Sequence, residues 1–232
     1  NTHLVDPPPE TWQVFWEPEL RKAYSINAYD YIGNVLTAAL ACGYPIESIG
    51  SFDALNNARF KAKLKAWAQN AAWLWSGADT SRKHFATKFG GKKMAVVWGN
   101  TDWQGTMPAI RSGPETWRLA NPREGTIGWI EFFALTQALA DKPFLKQVAE
   151  EWINEKGHFE YQHDHFIREI TADSDTTDTN GRLKFLDDKG YRVGKTSYGI
   201  DIILPPPLSR RDRNGLKLLW KEAKADAMAM QE

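Results

Sequence analysis

Apolar residues recur every three to four positions in several stretches, and helix-stopping residues close the clearest of them. In AYDYIGNVLTAALACGYP (28–45), Val35, Leu36, Ala39 and Leu40 share one face, Asp30 stands at or near the start, and Gly43 with Pro45 beyond it ends the helix. In SFDALNNARFKAKLKAWAQNA (51–71), Leu55, Phe60, Leu64 and Trp67 form a stripe with Lys61, Lys63 and Lys65 mostly opposite, which predicts one amphipathic surface helix. Short apolar runs lie between such stretches. AAWLWSG (71–77), KKMAVVWGN (92–100) and GTIGWIEFFAL (125–135) have strand length and are bounded by Gly, Ser or Asn. ADTSRKHFATKFGG (78–91) reads as a helix capped by Asp79 or Thr80 and ended by Gly90-Gly91.

Further along, DKPFLKQVAEEWINEKG (141–157) aligns Phe144, Val148, Trp152 and Ile153 on one helical stripe, with Pro143 tolerated in the first turn. TADSDTTDTNGR (171–182) is a polar surface loop. YGIDIILPPPLSRRDRNGLKLLWKEAKADAMAM (198–230) gives a short strand, a triple-proline stop and a terminal helix from about Ser209. Ahead of all these, Trp12, Phe15 and Trp16 share one face of a turn or short helix after a proline-rich opening. Strands alternating with helices predict an α/β protein with largely parallel sheets.

A chain of 232 residues can bury a sizeable core as one large domain or two lobes. Lys plus Arg (29) balance Asp plus Glu (29), so no general affinity for nucleic acid or an anionic membrane surface is expected, and recognition falls to a local site. Cys42 is the single cysteine, which excludes an intrachain disulfide; in LTAALACGY it reads as a small buried side chain rather than a nucleophile. No stretch approaches the about 20 apolar residues needed to span a bilayer, and the first residues lack the pattern of a signal peptide, so a soluble chain is expected. Eleven tryptophans exceed what a core of this size needs. Most should pack inside, and some should line a surface that binds something flat, apolar or cationic.

The chemistry-bearing clusters are few. His158, His163 and His165 with Asp164 could hold zinc, but they read more simply as exposed polar residues near a helix end. No nucleophile with a positioned base, no phosphate loop and no paired-cysteine metal motif occurs, so no catalytic residue, metal or cofactor is assigned. What stands out is GTIGWIEFFAL, where Glu131 lies in an apolar run at a cost of several kcal/mol unless paired. Trp129 and Glu131, two apart on a strand, face the same side. An indole beside a carboxylate makes a cation site, the ring contributing about 0.5–2 kcal/mol. The residues leave a second account open, in which Glu131 pairs with a protein cation such as Arg123 and Trp129 is core.

The order of segments resembles that of periplasmic substrate-binding proteins of ABC importers, in the spermidine/putrescine-binding group. DPPPETWQVFWEPELRKAYSI, the helix AYDYIGNVLTAALACGY, the amphipathic helix before AAWLWSG, the strand FGGKKMAVVWGN, NPREGTIGWIEFFAL and AEEWINEKGHFEYQ follow one another as in that family. The resemblance covers residues 5 to about 162 in register and the remainder more loosely. It implies a two-lobe α/β architecture closing on a ligand, with Trp98, Trp129 and Glu131 in the family's aromatic box and amine-binding carboxylate positions. Asp30 takes the place of another ligand-binding acid, while a second family acid, one turn on, falls on Gly33. The family's segment forming most of the first lobe is absent ahead of residue 1, which implies an incomplete first lobe and a fragment of a longer protein.

On that reading residues 1–125 are the second lobe and 126–232 the segment returning to the first, with its C-terminal helices, and GIDIIL should expose an apolar edge. The expected function is solute binding in the interlobe cleft and delivery to an inner-membrane ABC permease, with no catalysis. The ligand is a small cationic, polyamine-like molecule; the place is the periplasm, or a membrane-associated extracellular position. The alternatives are an enzyme or sensor domain reusing the fold, or a truncated interaction domain.

Overall fold

The computed structural model describes residues 5–76, 94–95, 120–128, 142–145, 147–148, 192–195, 201–205 and 207–229. A 3-10 helix, Trp12–Trp16, is capped by Thr11, whose hydroxyl accepts from the Gln13 N–H. After it come β1 (Tyr24–Asn27), α1 (Tyr31–Ala41), α2 (Phe52–Leu55), α3 (Ala58–Asn70) and β2 (Trp73–Trp75). Then follow β3 (Met94–Ala95), β4 (Thr126–Ile127), β5 (Arg192–Lys195), β6 (Asp201–Ile203) and the terminal helix α4 (Arg210–Ala229).

The stripe over residues 51–71 is two helices rather than one. Asn56 leaves the helical region (ψ 58°), and the Asn57 side chain accepts from the Phe60 N–H at 3.0 Å to start α3. An asparagine that hydrogen-bonds its own downstream backbone competes with helix continuation, and here the competition wins while the apolar spacing runs on unbroken. Leu55, Phe60, Leu64 and Trp67 are all buried regardless. The helix α1 agrees with its sequence signals: Asp30 caps it, and Gly43 after its end takes the left-handed conformation at φ +80°.

Among the described residues these strands form two three-stranded sheets. In the first, β1 lies between β2 and β3, both parallel to it; in the second, β6 lies between parallel β4 and antiparallel β5. The run GIDIIL, expected to present an apolar edge, instead contributes a central strand with Ile202 and Ile203 buried. Its two neighbours take up its hydrogen-bonding groups, and the edge vanishes. The terminal helix closes one core with the N-terminal elements: Leu216, Leu219, Trp220, Ala223 and Ala227 are buried together with α1, α3 and β1. Gly215 allows its approach, because a Cβ there would fall on the Phe52 ring.

Aromatic rings knit that core. Phe15 meets Tyr24 edge-on at 4.5 Å and stacks on Trp67 at 5.7 Å, and Trp16 tilts against Trp67 at 5.9 Å. The buried Tyr24 hydroxyl lies 2.7 Å from the Trp67 carbonyl and 3.2 Å from that of Phe15. Burial pushes its phenol well above the ordinary range. The second sheet is tied to this core through Trp12, whose indole N–H donates to the Gly125 carbonyl at 2.6 Å, and through Thr11, whose hydroxyl donates to the Glu124 carboxylate. By contrast Phe144 and Val148, expected to share an apolar stripe, are exposed, Phe144 at 73%.

Candidate functional site

The strand order β2-β1-β3 fixes where a ligand would be sought. The chain leaves β1, returns through helices to β2 on one side, and then places β3 on the other. In parallel α/β sheets the crevice at such a switch point opens at the carboxyl ends of the strands. The carboxyl end of β1 is Asn27, and the turn after it, Ala28-Tyr29-Asp30, leads directly into α1.

That turn is held from several directions. The Asn27 side-chain carbonyl accepts from the Tyr29 and Asp30 N–H groups at 2.6 and 3.0 Å, and the Asn34 carboxamide donates back to the Asn27 carbonyl at 2.7 Å. Asp30 Oδ1 accepts from the Gly33 N–H at 2.8 Å. A carboxylate at this position meets the helix's unpaired N–H groups and the positive end of its dipole. Gly33 has a physical reason to be glycine here, since a Cβ would fall on the Asp30 carboxylate. An acidic residue at 33 and the observed Asp30 conformation are therefore mutually exclusive.

From the far end of the sequence α4 reaches the same turn. The Ala28 carbonyl accepts from Trp220 Nε1 at 2.8 Å and from Lys224 Nζ at 2.7 Å, which uses both its lone pairs. The Lys224 ammonium also lies 4.6 Å from the centroid of the exposed Tyr29 ring, and partial burial draws its pKa below the ordinary lysine value. The groove between α3 and α4 is less promising. It is spanned by Lys61–Glu222 and Lys65–Asp226 pairs at 4.0 and 2.6 Å, so its charges are already matched.

Of the four residues assigned from sequence, Asp30 is placed at this carboxyl end, half-buried and acting as the cap of α1. Trp98, Trp129 and Glu131 lie outside the described residues, as do His158, His163 and His165. In chain order Trp98 follows β3, and Trp129 and Glu131 follow β4. Asn27, Tyr29, Trp220 and Lys224 were not singled out by sequence reasoning. Asn27 had a local signal, an Asn three residues ahead of an N-cap Asp at the end of an apolar run, whereas Trp220 and Lys224 come from a helix whose spacing says only that one face is apolar.

Among the described residues no group of three His, Cys, Asp or Glu side chains could hold a metal. No helix among them is long and apolar enough to cross a membrane. Cys42 is half-buried, and burial raises its thiol pKa, as suits a packed side chain. No family model, curated protein or solved structure matches this chain.

Proposed function

We propose that this chain is a solute-binding protein of an ABC importer that holds a small amine-bearing ligand and hands it to a membrane permease in the periplasmic space. The observation that carries the reading is the half-buried Asp30 carboxylate at the carboxyl end of β1, the strand flanked on both sides by parallel neighbours. Support also comes from chain order, since the other three proposed ligand residues, Trp98, Trp129 and Glu131, follow the carboxyl ends of β3 and β4. In this reading Glu131 and Asp30 receive the amine, and the indoles of Trp98 and Trp129 cover its methylenes. The domain limits 1–125 and 126–232 and the two-lobe architecture belong to the same proposal.

Isothermal titration with putrescine, spermidine and cationic amino acids tests it, with saturable binding of at least one amine as the expected result. Glu131→Gln should then weaken binding by about 2 kcal/mol or more, because a buried cation would lose its charged partner. A folded chain that gives no heat with any amine overturns the reading.

A further inference from the structure

At the carboxyl end of β1 one buried donor has no acceptor, and one ammonium has a carbonyl but no carboxylate. The Asn27 carboxamide is 3% exposed, its oxygen serves the Tyr29 and Asp30 N–H groups, and its Nδ2 has no partner. Lys224, anchored on the Ala28 carbonyl and against the Tyr29 ring, has no carboxylate within ion-pair distance among the described residues. The two acids on its own helix nearest in sequence, Glu222 and Asp226, pair with Lys61 and Lys65 of α3. A half-buried ammonium and a buried carboxamide N–H beside one turn form a donor set that favours an anionic acceptor.

We infer that Lys224 and Asn27 receive a carboxylate of the ligand, so that the ligand is an amino acid with a side-chain amine rather than a simple diamine. This rests on the amine reading above and extends it. Asp30 and Lys224 flank the Ala28–Tyr29 segment with opposite charges, one from the cap of α1 and one from α4. A molecule with an amine and a carboxylate offers each its opposite charge, whereas a simple diamine brings a second cation with no carboxylate beside it to meet Lys224. The exposed Tyr29 ring, 4.6 Å from the Lys224 ammonium, offers a face on which methylenes can pack.

L-ornithine and putrescine share one carbon chain and differ by a single carboxylate, so calorimetry of the full chain with each isolates the inference. Ornithine is expected to bind at least about tenfold more tightly. Lys224→Met should abolish that preference, by weakening ornithine and removing the cation that opposes the second amine of putrescine, and Lys224→Arg, which keeps the charge, should retain it. Equal or tighter binding of putrescine, or a preference that survives Lys224→Met, overturns the inference while leaving the amine reading standing. Should neither amine bind, the amine reading fails by itself; protection of Lys224 from acetic anhydride by pentanoate then sustains the carboxylate seat, and absence of protection overturns it.

Discussion

The interior formed by α1, α3 and α4 and the turn at the end of β1 are built on opposite terms. In the interior, pattern and packing agree: Leu36, Leu64, Trp67, Leu216 and Trp220 are buried, and the Tyr24 hydroxyl has a carbonyl at 2.7 Å, although the buried Trp67 Nε1 has no hydrogen-bond partner. At the turn, Asn27 Nδ2 has no partner and Lys224 meets, among the described residues, a carbonyl and a ring face but no carboxylate. A buried donor without a partner lowers stability in either place, but at the turn it stands beside an ammonium that has no carboxylate within ion-pair distance among the described residues. Under the proposed function, the difference separates what the molecule needs in order to fold from what it keeps in order to bind.

Substitutions on the two sides should therefore behave differently. The largest loss is expected from Trp67→Ala, which empties the centre of the aromatic cluster and should cost about 3–5 kcal/mol in denaturant unfolding. A value below 1 kcal/mol would mean that the cluster repacks freely and that the interior is no better determined than the turn. Tyr24→Phe keeps the ring but removes the buried hydroxyl's bond to the Trp67 carbonyl, which retains only the longer bond from the Ala71 N–H, for an expected loss of about 1 kcal/mol.

On the turn, Asp30→Ala should cost about 1 kcal/mol through the lost cap, and Asp30→Asn far less because Asn caps as well as Asp. If Asp30→Asn also removes amine binding, the two roles of this carboxylate separate cleanly, one readable in chemical unfolding and the other in titration. The smallest effect belongs to Asp212, whose carboxylate accepts from the Ser209 hydroxyl and the Phe52 N–H and is held below the usual carboxylate range by those bonds. With its folded pKa depressed below the unfolded value, its contribution is present above that unfolded value and fades as pH falls through the folded one. Stability measured from pH 5 downward should fall less steeply in Asp212→Asn than in the native chain.

The sequence carried the local signals well and the long-range ones poorly. Asp30 and Gly43 bracket α1 as their chemistry demands, and the terminal helix begins beside Ser209 as expected. The break between α2 and α3 was hidden because Asn57 interrupts hydrogen bonding without disturbing the apolar spacing. GIDIIL was expected at an edge because the family resemblance leaves it without sheet partners, whereas its neighbours come from this chain, Arg192–Lys195 just ahead of it in a stretch with little pattern and Thr126–Ile127 far earlier. At the candidate site, Asp30 was visible as a helix start, but its relation to Lys224 depends on a helix nearly the whole chain away. No window of neighbouring residues contains that information.

The place of α4 in the core has a consequence in time. Residues 14–75 supply most of the buried surface, yet Trp67, Leu36 and Tyr24 share their cluster with Leu216, Trp220 and Ala227. A chain emerging from the ribosome therefore displays an unfinished apolar layer until the terminal helix arrives, since contacts across such sequence separations come late and slowly. During that interval the N-terminal helices present an apolar face that a chaperone can hold, and the arrival of α4 covers it.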